Sequence, residues 1–285
     1  GRNFVLVSDT GETSPLDFNG SGFLNFTWVP IDNTPQPALA SENGESGFDE
    51  YGYPTQRNLW TQADAVGAFG FSRPEDVDTN PANGGQVVIA STGVDTYAVD
   101  PVTGNGVDTF GTTYVVDVDI SGKGLLIINY DGDADPRRSL RSVDNLAWSS
   151  DGFIYCQEDR AESDTLSGDE ILFGPGAVNP NEAGIVRVST GGQTLRVANI
   201  DRNVVLDGSL ADPALAVDVD AGSTGAWESS GIIEVADLFG VAAGSLYLFN
   251  IQAHGIEDQD QFNPESRITD FDLVEGGQIL FLEKN

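Results

Sequence analysis

Cations are scarce in this 285-residue chain: 13 Lys and Arg stand against 45 Asp and Glu, a formal charge of −32. A phosphate backbone is gripped by cations that displace its counterions, so unaided nucleic-acid binding is excluded, and attraction to an anionic membrane surface with it. Cysteine occurs once, which excludes an internal disulfide and a Cys-rich zinc module. Histidine also occurs once. Any Ser-His-Asp arrangement would have to use His254, and no G-x-S-x-G elbow supplies its nucleophile. No apolar run approaches the roughly 18 residues of a membrane helix, so membrane insertion is not expected. The N-terminus has neither Met nor a basic segment leading into an apolar one, and Gly1 reads as a processed or fragment end. Carboxylates remain as the main chemical resource. A surface this acidic collects cations, which suits a secreted or periplasmic protein in a calcium-rich medium.

What the chain does have is 39% hydrophobic residues, 34 Gly and 13 Pro, the composition of a folded protein with a large core. Apolar residues come in short or alternating runs between Gly, Asn, Asp and Pro, a pattern that predicts an all-β protein. Expected strands are Phe4 to Ser8, Leu24 to Pro30, Val87 to Ser91, Thr113 to Asp119, Leu125 to Tyr130, Asn145 to Trp148 and Phe153 to Glu158. Ile185 to Ser189, Leu195 to Ile200, Gly231 to Val235, Leu246 to Gln252, Ile268 to Leu273 and Gln278 to Glu283 follow. Ser150-Asp151-Gly152, Thr190-Gly191-Gly192 and Glu275-Gly276-Gly277 read as hairpin turns. A weak repeat runs through Pro74-Glu75-Asp76-Val77-Asp78, Val143-Asp144-Asn145-Leu146-Ala147 and Ile268-Thr269-Asp270-Phe271-Asp272, each leading through a Gly turn to a more apolar strand. Propeller blades read this way. At roughly 40 to 50 residues per four-stranded blade the length allows at most about six blades, and the strand count suits four or five. Asp32 to Thr61 and Ala161 to Glu182 read as long loops. No linker divides the chain, so residues 1–285 form one β-propeller domain or the C-terminal portion of one. A Greek-key sandwich shares the same strand pattern.

Three constellations carry candidate chemistry. Asp131-Gly132-Asp133-Ala134-Asp135 follows a strand, and alternate carboxylates there can converge on one hard cation; calcium fits, although the EF-hand Gly and distal Glu are missing. The plainer reading is a solvated acidic turn. Gln157-Glu158-Asp159 closes one strand of a hairpin whose other strand Asp144-Asn145 opens, so these groups meet at one rim; Glu75 and Asp76 hold the equivalent place in the earlier repeat. Here the plainer reading is that they cap backbone amides. Trp227-Glu228 and Asn250 to His254 form the third, with Gln252 and His254 on one side of an extended strand. Trp227 reads as core, and Cys156, inside a strand, as a small buried hydrophobe. Arg137, Arg138 and Arg141 either neutralise the Asp131 loop or hold an anion beside bound metal.

Ser72-Arg73-Pro74-Glu75-Asp76, Asn129 to Asp135, Ser142 to Trp148 and Asp151 to Asp159 resemble the PhoX-type alkaline phosphatases and their relatives. Trp227 to Ile232, Leu248 to His254 and Asp272 to Gln278 extend the resemblance collinearly over roughly Thr27 to Leu282. It implies an exported β-propeller phosphomonoesterase using calcium with iron, and a carboxylate-built metal cluster on the propeller axis. It further implies metal-ligand roles for Glu75 and Glu158, a ligand or supporting role for Asp144 and Asn145, and a place for Gln252 and His254 at the site mouth. Family members are much longer and this chain resembles their C-terminal half, so a companion chain or self-association is expected to complete the ring. The family's iron-bound thiolate belongs to the other half, and Cys156 does not inherit its role. Bound Ca²⁺ or Fe³⁺ would reverse the local sign for a phosphate-ester dianion, with Arg73 clamping a non-bridging oxygen. The contrasting expectation is a non-catalytic acidic extracellular propeller in which calcium stiffens loops and the chain serves adhesion or assembly.

Overall fold

A computed structural model describes residues 1–119, 121–160, 171–202, 216–218, 224–258 and 273–284, with backbone alone for 216–218, 254–258 and 273–277. The fold is all-β, with every pairing antiparallel. The first sheet contains β1 (Asn3–Ser8), β2 (Gly22–Ile31), β3 (Pro74–Thr79), β4 (Gln86–Ser91), β5 (Thr112–Val118) and β6 (Lys123–Asp131), in the order β1-β2-β6-β5-β4-β3. Four-stranded blades were expected, and here the β1–β2 hairpin adds to the β6 edge of the meander β3 to β6, making six. The second sheet is the meander β7 (Val143–Trp148), β8 (Ile154–Glu158), β9 (Gly184–Val188) and β10 (Thr194–Asn199). Its two outer hairpins close through the turns expected at residues 150–152 and 190–192.

In the third sheet, β11 (Ala216–Asp218) and β12 (Glu228–Glu234) share one edge of the long β13 (Leu246–Asp258), and β14 (Leu273–Glu283) lies along the other. Here the expected turn at Glu275-Gly276-Gly277 is corrected. β14 runs straight through it, pairing Gly276 with Ala253 and Gly277 with Gln252, next to a register shift between Ala253 and Ile256. Glycine in a strand interior marks a bulge or a close backbone approach as readily as a turn. The repeat unit opening at Ile268 lies outside the described residues. A second correction is a helix, Gln56–Ala65, which begins inside the stretch Asp32 to Thr61 read as loop and runs past its end. Thr55 caps it, its Oγ1 accepting from the Asn58 N–H at 3.3 Å.

The sheets stack face to face because the middle one alternates apolar residues on both sides. Leu146, Trp148, Ile154, Cys156, Val186 and Val188 pack toward Val88, Ala90 and Val115 of the first sheet. Ala147, Tyr155 and Ile185 pack toward Ile232, Tyr247 and Phe249 of the third. Burial on both faces accounts for β8, in which every residue is buried. Each such side chain contributes roughly 1.5–3 kcal/mol.

Side chains of one edge strand then cap the backbone of the next. Asp76 and Asp78 of β3 accept from the N–H groups of Leu146 and Trp148 at 2.9 and 2.7 Å. Asn145 of β7 accepts from Gly231 N–H at 3.0 Å, and Gln157 of β8 from Ile232 N–H at 3.0 Å. β3, β7 and β12 are thereby drawn side by side. Among the described residues no helix is long and apolar enough to cross a membrane.

Candidate metal centre

Where β3, β7 and β12 begin and β8 ends, carboxylates converge. One oxygen each from Asp144, Asp159 and Glu228 lie within 4.8 Å of one another, all three residues half-buried. Among the described residues this is the acidic or imidazole/thiol cluster compact enough to share one ion. Local backbone geometry aims these groups. The β7–β8 register skips from Val143 to Asn145, so Asp144 is an extra, bulged residue; the β3–β4 register skips from Pro74 to Asp76, so Glu75 is bulged at the equivalent place. A bulge re-aims a side chain that regular pleating would send elsewhere. Two of the three non-glycine residues with positive φ among the described residues stand here as well, Arg73 (φ 60°) and Ser142 (φ 46°). Strain of this kind costs about 1–3 kcal/mol and clusters at working sites.

Asn145 holds Asp144 in place, its Nδ2 donating to the Asp144 carboxylate while its oxygen accepts from Gly231 N–H and Ser230 Oγ. Asn145 is therefore a support. Asp159 N–H donates to the Ser142 carbonyl at 3.0 Å, fixing the residue past the end of β8. The Asp144 carboxyl is pushed up to about 6 by burial, by the Asp159 charge and by the Glu75 charge. Arg73 pairs with Glu75 at 3.3 Å on the rim. The buried hydroxyls of Ser72 and Ser142, flanking these strained turns, have no hydrogen-bond partner. Gln252 lies directly across the ladder from Glu228.

Other expected ligands stand elsewhere. Glu158, next to Asp159 on an alternating strand, faces the opposite way and is fully buried. Arg141 Nε lies 3.2 Å from its Oε1 and Arg196 Nη1 2.7 Å from its Oε2, with Arg141 N–H adding a third bond. Two guanidinium groups occupy the carboxylate, which stands in a buried ion pair. Asp76, likewise, spends its carboxylate on the N–H groups of Leu146 and Val77. The side chain of His254, in β13, lies outside the described residues. Cys156 is buried in the core, where burial pushes its thiol far up and away from thiolate. Glu228, which the sequence groups with Asn250 to His254 in a separate constellation, is brought by the stacked sheets beside Asp144 and Asp159.

The Asp131 loop is tied inward. Asp131 accepts from the N–H groups of Gly20, Asp133 and Ala134, and Asp133 from Phe110 N–H. Asp135 accepts from Tyr130 Oη, Ser139 N–H and Arg137 N–H. Arg138 donates to the carbonyls of Gly132, Asp133 and Asp135 and stacks over Phe110 at 3.9 Å. Of the three arginines, Arg137 pairs with the Asp135 carboxylate at 3.3 Å, Arg138 meets backbone carbonyls, and Arg141 pairs with Glu158 instead.

The class these features define is an all-β protein with a carboxylate cluster where its sheets meet. The fold is similar to that of Pseudomonas fluorescens PhoX in complex with vanadate, a transition state analogue. The TM-score is 0.52 at 17% identity, over 88% of this chain and 40% of that one. The chain thus spans less than half the length of that protein. No protein-family model matches the sequence, and no curated protein does.

Proposed function

We propose that the chain is a sector of a secreted or periplasmic β-propeller phosphomonoester hydrolase of the PhoX kind, its three sheets being blades and its carboxylate cluster holding the metal. The observation that carries this reading is the convergence of Asp144, Asp159 and Glu228 at strand ends brought together by the stacked sheets. The donor set fits a hard, oxygen-seeking cation such as calcium: three carboxylates, one of them with a raised affinity for positive charge. Bound there, the cation supplies positive charge that offsets the phosphoryl dianion and favours ionisation of a water. Asp144, Asp159 and Glu228 bind it, Asn145 orients Asp144, and Glu75 extends the negative wall. Arg73 is placed to hold a non-bridging oxygen, a task that suits a guanidinium fork.

Chelator-stripped protein assayed on p-nitrophenyl phosphate, with and without added calcium or iron, tests this. Metal-dependent turnover falling about 100-fold or more in Asp159→Asn and in Arg73→Ala is the expected result. Turnover indifferent to both substitutions contradicts it. Coverage of 40% of the PhoX chain favours a second reading, a calcium-binding structural propeller in assembly or adhesion. Cation binding with no turnover under any metal would select that one.

A further inference from the structure

The seam between the second and third sheets opens into a cleft of about 310 Å³ at the turn end of the β7–β8 hairpin, the end away from Asp144 and Asp159. Its walls are apolar and aromatic. Leu195 and Val197 of β10, Leu282 of β14, and Tyr155 and Tyr247, whose ring centroids lie 4.4 Å apart, form them. Arg187 stands in this lining where the pattern calls for an apolar residue. The other four residues of β9 are buried, and Arg187 sits directly across the ladder from Tyr155 on one side and Leu195 on the other. It therefore shares their face, toward the third sheet. Its guanidinium stacks on the Phe153 ring, 4.1 Å from the centroid, and among the described residues no carboxylate or carbonyl accepts from it. Asp151, on the same seam, is taken: its Oδ1 accepts from Phe153 N–H at 3.0 Å, and its Oδ2 from Tyr155 Oη and Lys284 Nζ, both at 2.9 Å. Arg196 also reaches the lining, but its guanidinium is committed to Glu158. Glu283, one step along β14 from Leu282, turns its side chain to the other face.

We propose that this cleft binds a small aromatic carboxylate, its ring against the Tyr155–Tyr247 pair and its acid group on the Arg187 fork. Stacking on Phe153 uses the flat face of the guanidinium and leaves its in-plane N–H groups free, the geometry that meets a carboxylate with two parallel bonds. Lys284 adds charge from the other side of the same ring, its Nζ 5.9 Å from the Phe153 centroid. In a chain with 13 cations against 45 acids, an arginine without an acid runs against the charge balance, and an anionic ligand supplies what is missing. Apolar and aromatic walls with a few placed polar groups are what a small-molecule site requires. This site is independent of the metal centre and of the activity proposed above.

The test is calorimetric titration of chelator-stripped protein with 1-naphthoate, and with 1-naphthamide as its neutral counterpart. Stripping keeps a bound metal from supplying the counter-charge. The expected result is one equivalent of naphthoate, held about tenfold or more tighter than the amide and weakened by a similar factor in Arg187→Gln. Leu195 is 54% exposed, so Leu195→Glu folds even where Arg187→Gln does not. It puts a like charge in the cleft and should also weaken naphthoate about tenfold, whereas Arg57→Gln, an exposed cation on the helix Gln56–Ala65, should leave the affinity unchanged. Overturning results are no heat of naphthoate binding, equal affinity for acid and amide, wild-type affinity in either cleft variant, or an equal loss in Arg57→Gln.

Discussion

Glu158 and Asp159 are neighbours in sequence with opposite fates, because one step along a strand changes the face. Removing the Glu158 charge leaves two guanidinium groups, one of them fully buried, without their counterion, so Glu158→Gln is expected to cost about 3–5 kcal/mol in urea denaturation. Asp159→Asn should leave the metal-free stability nearly unchanged and weaken cation binding instead. Equal destabilisation by the two would contradict this division of labour. The raised carboxyls of Asp144 and Asp133 give a pH signature. A folded-state pKa above the unfolded value of 3.8 contributes stability that is fully present below that value and lost as pH rises through about 6. Asp144 is raised by burial, Asp159 and Glu75 and opposed by Asn145 and Arg73; Asp133 is raised by burial and Asp131 and opposed by Phe110 N–H, Arg138 and Thr109 N–H. The melting temperature of chelator-stripped protein should therefore fall between about pH 4 and about pH 6, and calcium should reduce that fall. A rising Tm over the same window would count against the account.

At the scale of elements, the strands were legible because Gly and Asp punctuation bounds short runs that alternate in strands with one wet face and are continuously apolar in β8, buried on both faces. The repeat was legible too: Asp76 and Asn145 occupy equivalent positions and each caps the next edge strand. The bulges at Asp144 and Glu75 were not, since an extra residue in a ladder leaves no mark in composition. Nor was the continuity of β14 through Gly276 and Gly277, where a strand glycine and a turn glycine look alike in sequence. The helix Gln56–Ala65 escaped because, among residues 32–61, its weak apolar pattern is lost among polar ones. The carboxylate cluster was half legible: Asp144 and Asp159 came from the hairpin argument, whereas Glu228 is contributed by a distant segment that only the stacking brings in. Asp76→Ala removes the acceptor for Leu146 N–H, at an expected cost of roughly 1–3 kcal/mol. Amide exchange should accelerate at Leu146, next to the site, more than at Val186 in the middle of the same sheet. Uniform acceleration would mean that the cap does not hold the edge strands together.

For the whole molecule, a charge of −32 opposes compaction, and a cation at the proposed site would offset it where carboxylates crowd together. Among the described residues, the third sheet also leaves a face largely exposed, with Phe239 packed edge-on against Phe281. Ile233, Leu248 and Phe281 are cross-ladder neighbours on it, and Ile233, Ile279 and Phe281 are more than half exposed. Apolar faces at the equivalent place on the first two sheets are covered by the next sheet, and a second copy of the chain is the occupant we expect here. Phe281→Glu should lower the mass seen by light scattering toward 30.2 kDa, and an unchanged association state would refute the expectation.

The central claim is that Asp144, Asp159 and Glu228 bind a metal ion together. Its most direct test is calorimetric titration of chelator-stripped protein with calcium, comparing wild type with Asp144→Asn, Asp159→Asn and Glu228→Gln. Loss of the same single calcium equivalent in each variant, with the fold retained by circular dichroism, is the predicted result. Wild-type stoichiometry and affinity in all three variants would contradict it.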